Sequence, residues 1–116
     1  MHARARLGRA VEWAVADLYR DDGFTTELNF RAGRIEIDVV ARRPGLVVFV
    51  EVKARTSDRF GSPAEAVNGM KQMRIRRAAA AWLAERRPGP VDVRFDVVSA
   101  IVRRGRVELT QITEAF

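Results

Sequence analysis

The sequence predicts a single α/β domain over residues 1–116, with helices packed on a mixed central β-sheet. Three observations predict it: a length close to that of one domain, apolar residues at three- and four-residue spacing in two segments, and alternating apolar residues in others. The expected element order is α-β-β-β-α-β-β. The chain is too short to hold a second domain of ordinary size.

An amphipathic helix is predicted over residues 5–19. Its apolar residues recur every three or four positions and therefore share one face: Leu7, Val11, Ala14 and Leu18. We expect the helix to end near Asp21-Asp22-Gly23, because glycine tolerates the left-handed backbone that closes many helices.

Three strands are predicted next, over residues 24–31, 34–41 and 46–55. The second strand places Ile35, Ile37 and Val39 at the two-residue period of a half-buried strand. Between the second and third strands, Arg42-Arg43-Pro44-Gly45 has the composition of a tight turn. These two strands are therefore expected to form an antiparallel hairpin.

The second half of the chain predicts a helical region followed by two strands. Ser62-Pro63-Ala64-Glu65 combines an N-cap serine, a first-turn proline and a capping-box glutamate, so a helix is expected to begin there. Asn68-Gly69 can interrupt it, and the longer helix then runs to about residue 87, before a Pro-Gly-Pro sequence. Strands are predicted over 91–102 and 107–112.

The charge of the chain favours a polyanionic partner. The formal net charge is +6 and the pI is about 11.1, and nucleic acid is the obvious polyanion. An arginine-rich genome is the alternative explanation of the same charge. Charge alone does not decide between the two.

Several kinds of chemistry lack their residues in this sequence. There is no cysteine, and the single histidine, His2, lies in the N-terminal segment. A cysteine nucleophile, a Ser-His-Asp triad and a Cys/His zinc site are therefore not expected. Catalysis would have to use carboxylates, lysine, hydroxyls or a metal bound through oxygen.

The sequence predicts a cytoplasmic protein with no membrane partner. The longest apolar run, residues 78–84, is far below the roughly 20 residues of a membrane span. The basic N-terminus is not followed by the apolar stretch of a signal peptide.

Charged residues alternate on two neighbouring predicted strands. Glu36 and Asp38 share one face of the second strand, and Glu51 and Lys53 share one face of the third. In the predicted hairpin Asp38 and Glu51 are at comparable distances from the turn, so they can converge. Converging carboxylates are relieved by a hard divalent cation such as Mg²⁺. The alternative is an exposed strand face whose charges serve solubility and cross-strand pairing.

Lysine usage adds weight to the first alternative. Of 21 basic residues only Lys53 and Lys71 are lysines, and arginine cannot replace a lysine whose tunable ammonium is needed. Lys71 can point toward the sheet or lie along apolar surface with its ammonium in water. Glu12, at the edge of the apolar face of the first helix, can reach the same site or remain solvated.

Residues 36–41 and 48–55, Glu-Ile-Asp-Val-Val-Ala and Val-Phe-Val-Glu-Val-Lys-Ala-Arg, resemble the central motif of the YraN family. That family belongs to the PD-(D/E)XK, restriction-endonuclease-like superfamily. The resemblance extends over nearly the whole chain and includes Gly8, Glu12, Ala16, Asn29-Phe30-Arg31, Phe60-Gly61, Pro63, Glu65-Ala66-Val67, Lys71, Arg94-Phe95-Asp96-Val97-Val98 and Ala115-Phe116. Two departures are Ile35 and Val11, where the family usually has glycine.

The resemblance implies a restriction-endonuclease-like fold, a DNA substrate and Mg²⁺ or Mn²⁺ as cofactor. It implies that Asp38 and Glu51 are metal ligands and that Lys53 is the catalytic lysine. Glu12 matches an acidic active-site residue of the similar archaeal Holliday-junction resolvases. Glu36 belongs to the signature but receives no role.

Three functions follow as hypotheses. The leading one is a metal-dependent DNA endonuclease, acting on branched or otherwise structured DNA. The second is a nucleic-acid-binding module on a nuclease fold whose catalysis is absent or needs a partner, and the third is a protein-interaction role. A homodimer would suit symmetric cutting of two strands. The residues expected to contact phosphates are Arg55, Lys71, Arg74 and Arg77, with Arg76, Arg86 and Arg87 as further candidates.

Overall fold

A computed structural model describes residues 3–55 and 67–116, and the side chains of 8–55 and 67–116. The predicted order of helix, three strands, helix and two strands is confirmed. The helix expected to begin at Ser62 lies outside the described residues. The elements are α1 (Ala3–Asp21), β1 (Thr25–Ala32), β2 (Ile35–Arg43), β3 (Leu46–Arg55), α2 (Gly69–Arg86), β4 (Asp92–Arg103) and β5 (Arg106–Ile112).

The five strands form one mixed sheet in the order β1-β2-β3-β4-β5. The predicted hairpin is confirmed, with β2 and β3 antiparallel and joined at Pro44-Gly45. β3 and β4 are parallel, and the other neighbouring strands are antiparallel. Because parallel neighbours need a long crossover, the chain between β3 and β4 carries α2.

Each face of the sheet carries its own hydrophobic core. The core on the α1 side includes Val11, Val15, Tyr19, Val39, Val48, Val50 and Val98. The core on the α2 side includes Ile37, Val40, Phe49, Ile75, Trp82, Phe95 and Val97. Because both faces are covered, β3 and β4 carry near-continuous apolar runs, as is typical of central strands.

The end of α1 has the geometry expected from its sequence. Gly23 has a φ of +88°, and the backbone N–H groups of Gly23 and Phe24 donate to the carbonyl oxygens of Arg20 and Tyr19. The rings of Tyr19 and Phe24 meet edge to face at a centroid distance of 5.6 Å. This closure directs the chain from α1 into β1.

A buried carboxylate joins α1, β4 and the chain after β5. Asp96 is fully buried and accepts a hydrogen bond from the Tyr19 hydroxyl at 2.6 Å. Two guanidinium nitrogens of Arg94 donate to it at 2.9 and 3.0 Å, and the backbone N–H of Glu114 donates at 3.1 Å. Burial and this carboxylate raise the pKa of Tyr19. The paired Asp96 has a structural role.

The two tryptophans, left open between core and interface by the sequence, differ in environment. Trp82 is 1% exposed and packs in the α2-side core, whereas Trp13 is 65% exposed on α1.

Within the described part of the chain, neither helix combines the length and apolarity that crossing a bilayer requires.

Candidate metal centre

Asp38 lies at the point where β2 separates from β3. The pairing of these strands runs from Arg43↔Leu46 to Val39↔Val50, one residue short of Asp38. Its carboxylate then accepts a hydrogen bond from the backbone N–H of Val52 at 2.8 Å. Extending the register would place Asp38 opposite Glu51, and the charge of Glu51 acts on Asp38.

The alternation of β2 changes at the same point. The expectation that Ile35, Ile37 and Val39 share one face is wrong, because Ile37 packs in the α2-side core and Val39 in the α1-side core. Asn29 of β1, with a φ of +56°, occupies the register position across from Asp38. Its left-handed backbone interrupts the regular alternation of β1, so its neighbours Leu28 and Phe30 also pack against opposite cores.

Three carboxylates converge at this interruption. One oxygen each of Glu12, Glu36 and Asp38 can be chosen so that all three lie within 4.8 Å of one another. All three side chains are half-buried. Glu12 and Asp38 were expected at the site, whereas Glu36 had no assigned role. The two-residue spacing of Glu36 and Asp38 was the sequence signal for its inclusion.

The electrostatics of this cluster disfavour three free negative charges. Burial first, and then the charges of Glu51, Glu12 and Glu36, raise the pKa of Asp38 to about 7, against the lowering effect of the Val52 hydrogen bond. Burial and Glu36 likewise raise the pKa of Glu12. A bound cation would relieve this repulsion, and hard divalent ions prefer such oxygen donors.

Asn29 bridges two of the carboxylates. With its amide nitrogen turned toward them, it donates to Glu12 Oε2 at 2.7 Å and to Glu36 Oε1 at 2.8 Å. Sequence reasoning noted Asn29 only as part of the family resemblance. Asparagine is among the few residues other than glycine that adopt positive φ readily, which is the physical signal at this position.

Glu51 and Lys53 extend the site along β3. Lys53 Nζ lies 3.5 Å from Glu51 Oε1, and both side chains are largely buried. Val50 and Val52 pack in the α1-side core, so the predicted opposite faces of β3 are confirmed. Glu51 is therefore close enough to influence Asp38 while being paired with a lysine.

Lys71 approaches the same place from the first turn of α2. The neighbouring ammonium of Lys53, followed by desolvation, lowers the pKa of Lys71, against the attraction of Glu51 and Asp38. Of the two alternatives for Lys71, the structure therefore has the one in which it points toward the sheet. Asn68 caps this helix by accepting from the Lys71 backbone N–H at 3.0 Å.

The arginines expected to contact phosphates differ in their surroundings. Arg74 and Arg77 are exposed on α2, and Arg55 is half-buried at the end of β3. Arg76 lies over the Phe95 ring at 4.6 Å. Arg86 binds both carboxylate oxygens of Glu27 at 2.9 Å, so its guanidinium already has an anionic partner.

A cleft of about 440 Å³ adjoins the carboxylate cluster. Glu36 belongs to both. The cleft extends from the start of β2 to the first turns of α2, and its lining residues are Arg34, Ile35, Glu36, Glu51, Lys71, Arg74 and Ile75. Sequence reasoning did not single out Arg34, which follows Gly33 in the turn between β1 and β2.

The fold and the site define an α/β protein with an acidic cluster that can hold a metal ion beside a lysine pair. The chain belongs to the uncharacterised protein family UPF0102, whose model matches residues 11–100. This range includes every residue of the candidate metal centre described above.

Relatives from several bacteria match over most of their length. A UPF0102 protein of Frankia alni is 48% identical over 120 residues, covering 100% of this chain and 98% of the relative. One from Geobacter metallireducens is 39% identical and covers 100% and 95%. One from Moorella thermoacetica is 42% identical and covers 87% and 85%.

Proposed function

We propose that the protein is a metal-dependent nuclease that hydrolyses phosphodiester bonds of DNA. The observation that carries this proposal is that carboxylate oxygens of Glu12, Glu36 and Asp38 lie within 4.8 Å of one another. Lys53 and Lys71 lie next to this cluster. Carboxylates and lysine are among the groups that remain available for catalysis in a chain without cysteine. A net charge of +6 supports a polyanionic substrate.

The donor set fits Mg²⁺ or Mn²⁺. Glu12, Glu36 and Asp38 would hold the ion through carboxylate oxygens, the donors that these cations prefer. Glu51, which the family resemblance implies as a ligand, acts on Asp38 through its charge and forms the adjoining wall. When bound, the ion supplies Lewis acidity toward a phosphoryl oxygen and lowers the pKa of water.

The residues of the chain orient the reacting groups and stabilise negative charge. Asn29 holds Glu12 and Glu36, and the Val52 N–H holds Asp38, so the carboxylates are positioned by hydrogen bonds. The Lys53 ammonium can orient the attacking water or stabilise negative charge on the phosphate. Glu51 positions the Lys53 ammonium through their 3.5 Å ion pair.

The resemblance to the YraN family and the PD-(D/E)XK superfamily supports the same reaction. Asp38, Glu51 and Lys53 occupy the signature positions of that superfamily, and all three lie at the site described above. Branched or structured DNA is the substrate that the similar resolvases suggest. A cytoplasmic location and a homodimer belong to the same proposal, and light scattering tests the homodimer.

The second candidate is a DNA-binding module without catalysis of its own. The exposed Arg74 and Arg77 favour it, because phosphate contacts need no metal. Such a module would lose affinity steeply with salt. Substituting Asp38 would leave its function unchanged.

Cleavage of labelled linear, single-stranded, flap and four-way-junction DNA tests the proposal. The reactions contain Mg²⁺, Mn²⁺ or EDTA, and the wild type is compared with Asp38→Asn, Lys53→Ala and the exposed control Arg104→Ala. We expect metal-dependent cleavage that Asp38→Asn and Lys53→Ala abolish and Arg104→Ala retains. No cleavage by the wild type, with salt-sensitive binding in all four proteins, would favour the binding module.

A further inference from the structure

The cleft beside the metal centre has an asymmetric charge distribution. Arg34, Lys71 and Arg74 line it together with the carboxylates Glu36 and Glu51. The carboxylate side is the one shared with the metal centre, since Glu36 belongs to both. The cations come from two separate elements, the β1–β2 turn and α2, so the fold brings them together.

These three cations are available for an external anion. Among the residues that the structure describes, no carboxylate lies within ion-pair distance of Arg34, Lys71 or Arg74. By contrast, Glu27 and Glu85 hold Arg86, and Asp96 holds Arg94. Arg34 and Arg74 are exposed. Arginine guanidinium groups match phosphate geometry through paired donors, and lysine adds a point charge.

Between these charges the cleft offers apolar surface. Ile35 and Ile75 line it, and both also pack in the α2-side core. A volume of about 440 Å³ is at the small end of the roughly 300–1,000 Å³ range of small-ligand sites. The combination of phosphate-binding cations, an apolar patch and this volume fits one nucleotide.

We propose that this cleft receives one unpaired nucleotide of the DNA strand, with its phosphate on Arg34 and Arg74 and its base against Ile35 and Ile75. The inference rests on the proposed function and names the substrate class of the same site. A paired nucleotide would first have to leave its stack and its partner, which an unpaired nucleotide does not. Single strands, flaps and junction-point nucleotides are therefore the substrates, in preference to continuous duplex.

The test measures binding in EDTA, so that it reads affinity and not cleavage. Fluorescence anisotropy compares a short oligothymidine, the same strand with abasic positions and the matching duplex. We expect the wild type to bind the oligothymidine several-fold more tightly than the other two. Duplex binding that equals or exceeds single-strand binding would overturn the proposal, and so would equal binding of the abasic strand.

Variants assign the contact to the cleft. Arg34→Ala and Arg74→Ala should each weaken binding of the oligothymidine. Each should also reduce the salt slope, meaning the steepness with which the logarithm of the affinity falls with the logarithm of the salt concentration, by about 0.7, the value for one phosphate contact on a single strand. Arg104→Ala, in the β4–β5 turn, makes the same charge change and should keep the slope. If the affinities and salt slopes of Arg34→Ala and Arg74→Ala equal those of Arg104→Ala, the assignment of the contact to the cleft is overturned. If the protein passes these tests but cleaves no DNA, the proposed nucleotide cleft is supported and only the proposed nuclease activity is rejected.

Discussion

Asp38 Oδ2 accepts a 2.8 Å hydrogen bond from the backbone N–H of Val52, on the neighbouring strand. This bond takes the place of a backbone–backbone hydrogen bond between the strands, because the regular β2–β3 pairing ends at Val39↔Val50. It positions the carboxylate where two strands part, although burial and the surrounding charges oppose ionisation of Asp38. Sheet geometry and site electrostatics are thus coupled in one residue.

The first prediction concerns pH and the stability of the metal-free protein. The folded pKa of Asp38 is about 7, above the ordinary value of 3.8. The protonated carboxyl therefore contributes stability that is fully present below about pH 4 and is lost as the pH rises through about 7. In EDTA we expect Asp38→Asn to be more stable than the wild type at pH 8, by about 1–2 kcal/mol.

Thermal unfolding between pH 4 and pH 9 checks this prediction. The advantage of Asp38→Asn should vanish near pH 4, where the wild-type carboxyl is also neutral. Asp92→Asn, at the exposed start of β4, removes the same charge away from the cluster and is the control. Equal stability of Asp38→Asn and wild type at pH 8 would contradict the raised pKa.

A second prediction concerns metal binding. Mn²⁺ should raise the melting temperature of the wild type more at pH 8 than at pH 5, because protons compete with the ion for the carboxylates. Glu36→Gln and Asp38→Asn should each lose most of this rise. Glu108→Gln, exposed on β5, should keep it. Equal Mn²⁺ effects in Glu36→Gln and Glu108→Gln would exclude Glu36 as a ligand.

A third prediction separates the two contributions of Asn29. Asn29→Ala removes the donors to Glu12 and Glu36 and keeps a β-carbon at a φ of +56°, where an L-residue is strained by about 1–2 kcal/mol relative to glycine. Asn29→Gly loses the same hydrogen bonds but accepts the backbone conformation. Asn29→Gly should therefore be the more stable of the two in urea unfolding.

Arg104 provides the matched control for Asn29. Its φ is +50°, and it lies in the β4–β5 turn. Arg104→Gly and Arg104→Ala should differ from each other by a similar strain energy. Unlike the Asn29 variants, both should retain the wild-type response to Mn²⁺. An Asn29→Gly protein with wild-type Mn²⁺ response would show that the amide does not support the site.

A fourth prediction concerns the buried carboxylate of Asp96. Tyr19→Phe removes a 2.6 Å hydrogen bond to this fully buried group and should destabilise the protein by about 1.5–3 kcal/mol. Asp96→Asn should be worse, about 3–5 kcal/mol, because it leaves Arg94 without its anionic partner. Urea unfolding measures both. A Tyr19→Phe protein as stable as the wild type would show that the hydroxyl is dispensable to Asp96.

Elements with strong local signals were predictable from the sequence. The hairpin at Pro44-Gly45 and the stop at Gly23 follow from turn chemistry, and β3 follows from its continuous apolar run. Asp38 and Glu51 were predicted to converge because they lie at comparable distances from the turn. These signals depend on residues close together in sequence, so they can be recognised in one sequence without the structure.

The cluster of Glu12, Glu36 and Asp38 depends on information that is not local. Which face of a strand a carboxylate takes depends on regular alternation, and Asn29 interrupts that alternation from a different strand. The reach of Glu12 depends on how α1 packs across the sheet. For the same reason Arg34 was not identified, because its proximity to Lys71 arises only when the β1–β2 turn and α2 meet at one cleft.

The contrast between Trp13 and Trp82 gives the protein two optical reporters. Trp82, 1% exposed, should emit at short wavelength until the domain unfolds, whereas Trp13, 65% exposed, should emit at long wavelength throughout. Trp13 follows Glu12 in α1, but consecutive helix residues do not face each other, so its emission should not change when an ion binds at Glu12. One emission spectrum can then follow unfolding at its blue edge, while its red edge serves as an internal reference, without any added label.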